Sequence, residues 1–310
     1  MKGGFPELLN YVAAIIINHN TSRFAEIALR SLRLAAERAN VDVRVTVVDN
    51  HSSDDTVALH AAIEECGASW ELSRWPAGKQ ALTTHGDVLR DFVLARPEAP
   101  AFLFADSDIC FHEPDAIAVM LEELNEMSDV WAVQARLLTN KLTDPSNYLE
   151  VGPASFMEMV RRKRRGITLA SKVSFENDDG TIHKMVDQVH LGRRMPRCHP
   201  GCALIRNSEP FQLAVRHLGL SACWTWANDV QLGGLSDTMS LVSRAMRTHN
   251  WVYRISQTAV IHFWHGAQSS FTPEQELLLG QLRGNEVDQF IATCQATLSD
   301  DGLAARMPRS

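Results

Sequence analysis

Ala101-Phe102-Leu103-Phe104-Ala105-Asp106-Ser107-Asp108 decides how the rest of the chain is read. An apolar run of this kind suits a buried strand, and it stops on two carboxylates separated by one serine. A buried strand carries acids at its end when that end opens into a site, and in open α/β sheets ligands bind at the carboxyl ends of the strands. Carboxylate oxygens are hard ligands that suit Mg²⁺ or Mn²⁺, and such cations bridge phosphate oxygens. The bland alternative is an Asx-type turn in which the two acids bond backbone amides.

Working outward, strand and helix patterns alternate. Tyr11–Ile17 and Val43–Val48 are rich in β-branched residues and read as buried parallel strands. Ser69–Leu72, Ala101–Ala105 and Val130–Leu138 continue the series. Helices are expected over 23–39, 55–66, 81–95 and 115–127, with Thr21 or Ser22 as a cap for the first. This alternation predicts an α/β fold built on a doubly wound, mostly parallel sheet with flanking helices. Farther on, 139–198 reads as irregular, a strand is expected from Pro200 to Ile205, and 221–247 as a long helix. Short strands follow at Val252–Ile255 and Ala259–Phe263, and a C-terminal helix at 273–298 begins at Thr272-Pro273. One domain is expected over 1–270, divided into halves at 10–138 and 139–270, with a helical extension over 271–310.

Composition narrows the function classes. With 310 residues the chain can bury a large core, and 45% hydrophobic with 22% charged residues is ordinary for a globular protein. A net charge of -7 gives no reason to expect nucleic acid as a partner. No apolar stretch approaches the ~20 residues of a membrane-spanning helix, and the first apolar run is too short for a signal peptide. A cytoplasmic enzyme is expected. The run Arg161-Arg162-Lys163-Arg164-Arg165 is either a solvated helix face or a peripheral contact with a membrane or a phosphate-bearing acceptor. The six cysteines are scattered. Cys198 and Cys202 have loosely metal-like spacing, but without a second close pair they read as reduced thiols.

Polar clusters follow the strands: Asn18 to Ser22 after the first, Asp49-Asn50 after the second, and Asp106-Ser107-Asp108 after the fourth. If the strands are parallel, all three share one edge of the sheet. Asp49 suits ribose hydroxyls or a base N–H, with a helix cap as its structural alternative. Neither a Gly-x-Gly-x-x-Gly fingerprint nor a P-loop follows the first strand, which disfavours the usual dinucleotide and NTPase readings. A distant cluster holds Asn228-Asp229 and His262-Phe263-Trp264-His265.

Three segments together carry a resemblance: Ala14-Ile15-Ile16-Ile17-Asn18-His19-Asn20, Val47-Val48-Asp49-Asn50-His51-Ser52-Ser53-Asp54-Asp55-Thr56, and Phe104-Ala105-Asp106-Ser107-Asp108. With Gly201-Cys202-Ala203-Leu204-Ile205-Arg206, they resemble the family 2 glycosyltransferases, which have the GT-A fold, over residues 10–270. The resemblance implies a nucleotide-sugar donor and a divalent cation, Mn²⁺ or Mg²⁺. It implies that Asp49 binds the base and ribose region, that Asp106 faces the ribose and the metal, and that Asp108 ligates the cation. Asn18 and Asn20 would border the donor. Asn228-Asp229-Val230-Gln231-Leu232 is similar to the family's Glu-Asp-x-Asp-Leu segment, which puts Asp229 at the catalytic base. His262 or His265 would complete the metal or diphosphate site. The acceptor would be a sugar, a lipid-linked group or a small molecule.

The chemistry is consistent on its own terms. A sugar nucleotide already carries a leaving group. One metal to neutralise it and one carboxylate to deprotonate an acceptor hydroxyl suffice for a single displacement with inversion. Two neighbouring acids on one loop cannot flank a glycosidic bond, which argues against a hydrolase. Two alternatives stay open. Asn228 and Gln231 depart from the acids of the family segment, so a catalytically impaired sugar-nucleotide-binding protein is one. A nucleotidyltransferase on a related sheet is the other, although Asn18-His19-Asn20-Thr21 lacks its usual Gly-rich basic loop.

Overall fold

The computed structural model describes residues 11–75, 81–139, 168–176, 182–190, 197–227, 230–236, 238–248 and 250–262. The expected C-terminal helix, the 271–310 extension and the basic run at 161–165 lie outside them.

The first half alternates as expected: β1 (Val12–Asn18), α1 (Ser22–Ala39), β2 (Val43–Asp49), α2 (Val57–Glu65), β3 (Ser69–Leu72), α3 (Ala81–Leu94) and β4 (Ala101–Asp106). A two-residue β5 (Ile109–Cys110), α4 (Ala116–Glu126) and β6 (Val130–Thr139) follow. Then come β7 (Thr168–Glu176), β8 (Ile182–His190), β9 (Cys202–Arg206), α5 (Glu209–Leu218), β10 (Cys223–Ala227), β11 (Val230–Ser236), α6 (Ser240–Thr248) and β12 (Val252–His262).

Among the described residues, eight strands form the main sheet in the order β3-β2-β1-β4-β9-β6-β12-β5. Neighbours β3, β2, β1 and β4 are parallel, as are β6 and β12. β9 runs against both β4 and β6, and β5 runs against β12. The sheet is therefore mixed but mostly parallel. Because side chains alternate across a strand, β1 sends Val12, Ala14 and Ile16 to one face and Ala13, Ile15 and Ile17 to the other. The first face packs on α1, α2 and α4 through Leu29, Leu32, Leu59 and Met120, and the second on α3, α5 and α6 through Leu89, Phe211 and Val242. A strand apolar on both faces can be stable only between two helical layers, which is why these runs show no polar alternation.

The second half differs from expectation. Residues 221–247 are two strands and one short helix. Cys223-Trp224-Thr225-Trp226-Ala227 has aromatic and β-branched residues at period two, and Gly233-Gly234 would cost a helix about 1 kcal/mol per residue. The span 139–198, read as irregular, contains β7 and β8. These pair with β10 and β11 in an antiparallel sheet of order β11-β10-β7-β8. α5 went unread, although its signals are standard: Ser208 accepts from the Phe211 N–H, Pro210 lies in the first turn, and Gly219 ends it. The two short strands at 252–263 are one strand with a register shift between Ile255 and Ala259.

Candidate metal and nucleotide site at the carboxyl edge of the sheet

Register alone lines up the first residues of the site. Asn18 is paired with Asp49, and Ile17 with Asp106, so the ends of β1, β2 and β4 lie side by side. The expectation that the three polar clusters share one edge is met. Because β9 is antiparallel, its start brings Gly201 to the same edge, where the Asp106 N–H donates to the Gly201 carbonyl at 2.8 Å. β12 ends there too, and β5 pairs Ile109 with His262.

The loops after β1 and β2 are stitched together by side chains. Asn18 is fully buried. Its amide nitrogen donates toward Asp49 Oδ1 (3.1 Å), Ser22 Oγ (3.0 Å) and Ser52 Oγ (3.0 Å). The Ser52 N–H donates to the other Asp49 oxygen at 3.2 Å. Asn20 and His51 have left-handed backbone, φ 55° and 57°, a conformation that short polar side chains tolerate best. Asn20 Oδ1 accepts from the Ser53 N–H at 2.7 Å, and Asp54 Oδ2 accepts from the Ser22 N–H at 2.8 Å. The Asn50 amide donates to Thr84 Oγ1 at 3.1 Å, tying this loop to α3.

The metal-side cluster is built from Asp106, Asp108 and His262. One ligand atom from each lies within 4.8 Å of the others. His262 Nε2 is 3.3 Å from Asp108 Oδ1 and 3.8 Å from Asp106 Oδ2. Ligands about 2.1 Å from an octahedral cation sit about 3 Å apart when adjacent and about 4 Å when opposite. The spacing therefore fits a cation held by two carboxylates and an imidazole, a donor set that suits Mn²⁺ better than Mg²⁺.

Two further histidines face the same carboxylate. His85, from α3, has Nε2 at 3.5 Å from Asp106 Oδ1. The Gly201 N–H donates to His199 Nδ1 at 3.0 Å, and the His199 N–H donates to Gln134 Oε1 at 2.7 Å. A Cβ on Gly201 would lie 2.9 Å from His199 Nδ1 and 3.0 Å from Asp106 Oδ2, so a side chain here would force one of these two site side chains to shift. Burial pushes the Asp106 carboxyl up, but the His85 hydrogen bond and the charges of His85, His199 and His262 outweigh it and hold the group well below the usual range. Burial lowers the His262 imidazole, and Asp108 and then Asp106 raise it further than burial lowers it, so the net shift is upward.

Of the residues singled out in the sequence, Asn18, Asn20, Asp49, Asp106, Asp108 and His262 gather at this edge. Asp229 and His265 lie outside the described residues. His85, His199 and Gln134 were missed: each sits in a segment whose local pattern is plain helix, loop or strand. Cys198 and Cys202 are buried free cysteines, and burial pushes the Cys198 thiol up to about 12. That state suits packing and not metal ligation.

No family model matches the chain, and no curated protein matches it. Among solved structures, glucosyl-3-phosphoglycerate synthase from Mycobacterium tuberculosis in complex with phosphoglyceric acid is 14% identical, with 93% of this chain and 80% of that one covered and a TM-score of 0.45. The same enzyme in complex with Mn²⁺ and uridine-diphosphate-glucose is 14% identical over 93% of this chain and 79% of that one, again at TM-score 0.45. Mannosyl-3-phosphoglycerate synthase from Rubrobacter xylanophilus is 22% identical over 42% of this chain and 41% of that one, at TM-score 0.33.

Proposed function

We propose that this protein is a divalent-cation-dependent glycosyltransferase that moves a sugar from a nucleoside-diphosphate sugar to an acceptor hydroxyl, with inversion in a single displacement. The observation that carries the reading is the meeting of Asp49 with the Asp106, Asp108 and His262 cluster along one sheet edge. An acceptor of ribose or base hydrogen bonds and a cation-binding trio, side by side, match the two ends of one nucleoside diphosphate.

In this reading the Asp49 carboxylate accepts from the nucleoside, and Asn18 and Ser52 hold that carboxylate in place. Asn20 shapes the loop that borders it. Asp106, Asp108 and His262 hold the cation, with His265 as a further candidate. The cation, when bound, neutralises charge on the departing diphosphate. The His85 and His199 imidazoles fix Asp106 in its ionised form, which is the form that ligates. Asp229 takes the proton of the acceptor hydroxyl, a role its segment's similarity supports. The acceptor is a small molecule, a sugar or a lipid-linked group. Among the described residues no helix is long and apolar enough to cross a membrane.

A calorimetric screen of UDP-, GDP-, dTDP- and CMP-linked sugars, with and without Mn²⁺, tests the donor half. Mn²⁺-dependent binding of one donor class is expected, and its absence for all four sinks the reading. Release of free nucleotide on adding acceptors separates an active transferase from a protein that only binds the donor. Asp229→Asn should spare donor affinity and lower kcat by roughly 10²-fold or more.

A further inference from the structure

Thr21 stands at the N-cap of α1, where a threonine hydroxyl ordinarily accepts an N–H of the first turn. Here its side chain makes no such bond. Its hydroxyl instead donates to Asn18 Oδ1 at 3.0 Å and lies 2.7 Å from Ser107 Oγ. A hydroxyl has one proton. Thr21 gives its own to Asn18, so the contact with Ser107 uses the Ser107 proton. The Thr21 N–H, which can only donate, points at Asn18 Oδ1 at 3.3 Å; this fixes the orientation of the amide, whose nitrogen donates to Asp49 Oδ1. The result is a chain with one polarity, Ser107 to Thr21 to Asn18 to Asp49. All four residues are buried. Asn18 and Asp49 keep other partners when Thr21 loses its hydroxyl, among them Ser22, Ser52 and the Thr21 N–H, but the path from Ser107 to Asp49 is then cut.

Its two ends are functionally distinct in the proposed reading. Ser107 lies between Asp106 and Asp108 on the cation turn, and Asp49 is the nucleoside acceptor. We propose that Thr21 is a positioning residue that couples the two: a cation that sets the Asp106-Ser107-Asp108 turn also sets Asp49 through this chain, and a bound nucleoside sets the turn in return. The inference rests on the proposed donor site. Linkage requires that the two effects be equal in size.

A nucleoside without phosphates isolates the effect, because it cannot touch the cation. Binding of uridine, guanosine, thymidine and cytidine to the full chain is measured by ligand-observed NMR with and without Mg²⁺. In the wild type Mg²⁺ should tighten the preferred nucleoside about 5-fold or more. Thr21→Val keeps the shape without the hydroxyl, and Ser107→Ala breaks the chain from the other end. In both, the Mg²⁺ effect should fall below about 2-fold, while Thr21→Ser retains it. A merely structural Thr21 would move the melting temperature and leave the Mg²⁺ effect in place. If Thr21→Val does not fold, Ser107→Ala decides. Equal nucleoside affinity with and without Mg²⁺ in the wild type overturns the coupling, as does an unchanged Mg²⁺ effect in the hydroxyl-free variants. A wild type that binds neither nucleoside nor Mg²⁺ removes the donor site itself, and the coupling with it.

Discussion

The two edges of the main sheet are both polar, yet they are polar in opposite ways. At the carboxyl edge, Asn18, Thr21, Asp49, Ser107, Asp108 and His262 are buried. Their side chains bond one another. At the amino edge, charges sit in solvent-facing ion pairs. Arg44 bonds Asp42 at 2.8 Å at the start of β2, and Arg33 bonds Glu37 at 2.9 Å in the last turns of α1. Each member of these pairs is 44% to 63% exposed. Exposed pairs contribute about 0–1 kcal/mol, because water competes for both charges. Buried polar groups gain little from forming their bonds and lose much if a partner is removed. The contrast sets the carboxyl edge apart as the candidate site, because there buried polar groups of several loops converge on one another.

The contrast breaks most sharply at Asp108. Asp108→Ala should abolish Mn²⁺-dependent donor binding, a loss beyond the about 10–100-fold typical of outer-shell changes, and leave the circular-dichroism spectrum of the fold intact. Unchanged donor titrations would remove the metal reading. Next in size is Asn18→Ala, which takes away the donor to Asp49 and the acceptor for Thr21. Urea denaturation should show a loss of about 1–3 kcal/mol, with weaker nucleoside binding. A loss of stability alone would make Asn18 a packing residue.

Gly201→Ala presses a methyl onto His199 and Asp106. A roughly 10-fold weaker Mn²⁺ affinity is expected, in the range of an outer-shell disturbance, and calorimetry of the cation alone reads it. The pH dependence of that affinity sharpens the comparison further. The raised His262 imidazole stabilises the metal-free fold below its unfolded value of about 6.5, and this contribution is lost as pH rises through the higher folded value. Cation binding needs the neutral ring, so Mn²⁺ affinity should climb with pH over that interval, and His262→Gln should flatten the climb. A wild-type affinity independent of pH between 6 and 8 would exclude His262 as a ligand. The smallest effect belongs to the other edge: Arg33→Ala should change stability by less than about 0.5 kcal/mol, with donor binding untouched.

How much was legible follows from how local each signal is. β1, β2 and β4 declare themselves because a strand buried on both faces needs an unbroken apolar run, and their terminal Asn18, Asp49 and Asp106 stand out against it. The β7–β8 and β10–β11 strands did not, since Cys223-Trp224-Thr225-Trp226-Ala227 is too short to separate period two from a helical face when Leu, Met and Ser residues follow. Asp229 was placed on a long helix by that misreading, and the segments on either side of it are strands.

The sequence by itself determined that this is an α/β chain, that its polar residues collect after strand ends, and that an Asp-x-Asp pair closes a central strand. Those are properties of neighbouring residues, and burial periodicity records them. Only the tertiary structure decided that His85, His199 and His262 surround Asp106, and that Thr21 bridges Ser107 to Asn18. These partners lie up to 156 positions from Asp106 along the chain, from Asp106 to His262. His199 and His262 reach Asp106 because an antiparallel β9 and the pairing of β5 with β12 fold the far end of the chain back onto the same sheet edge, while His85 comes from α3; no local pattern encodes a register between strands so distant.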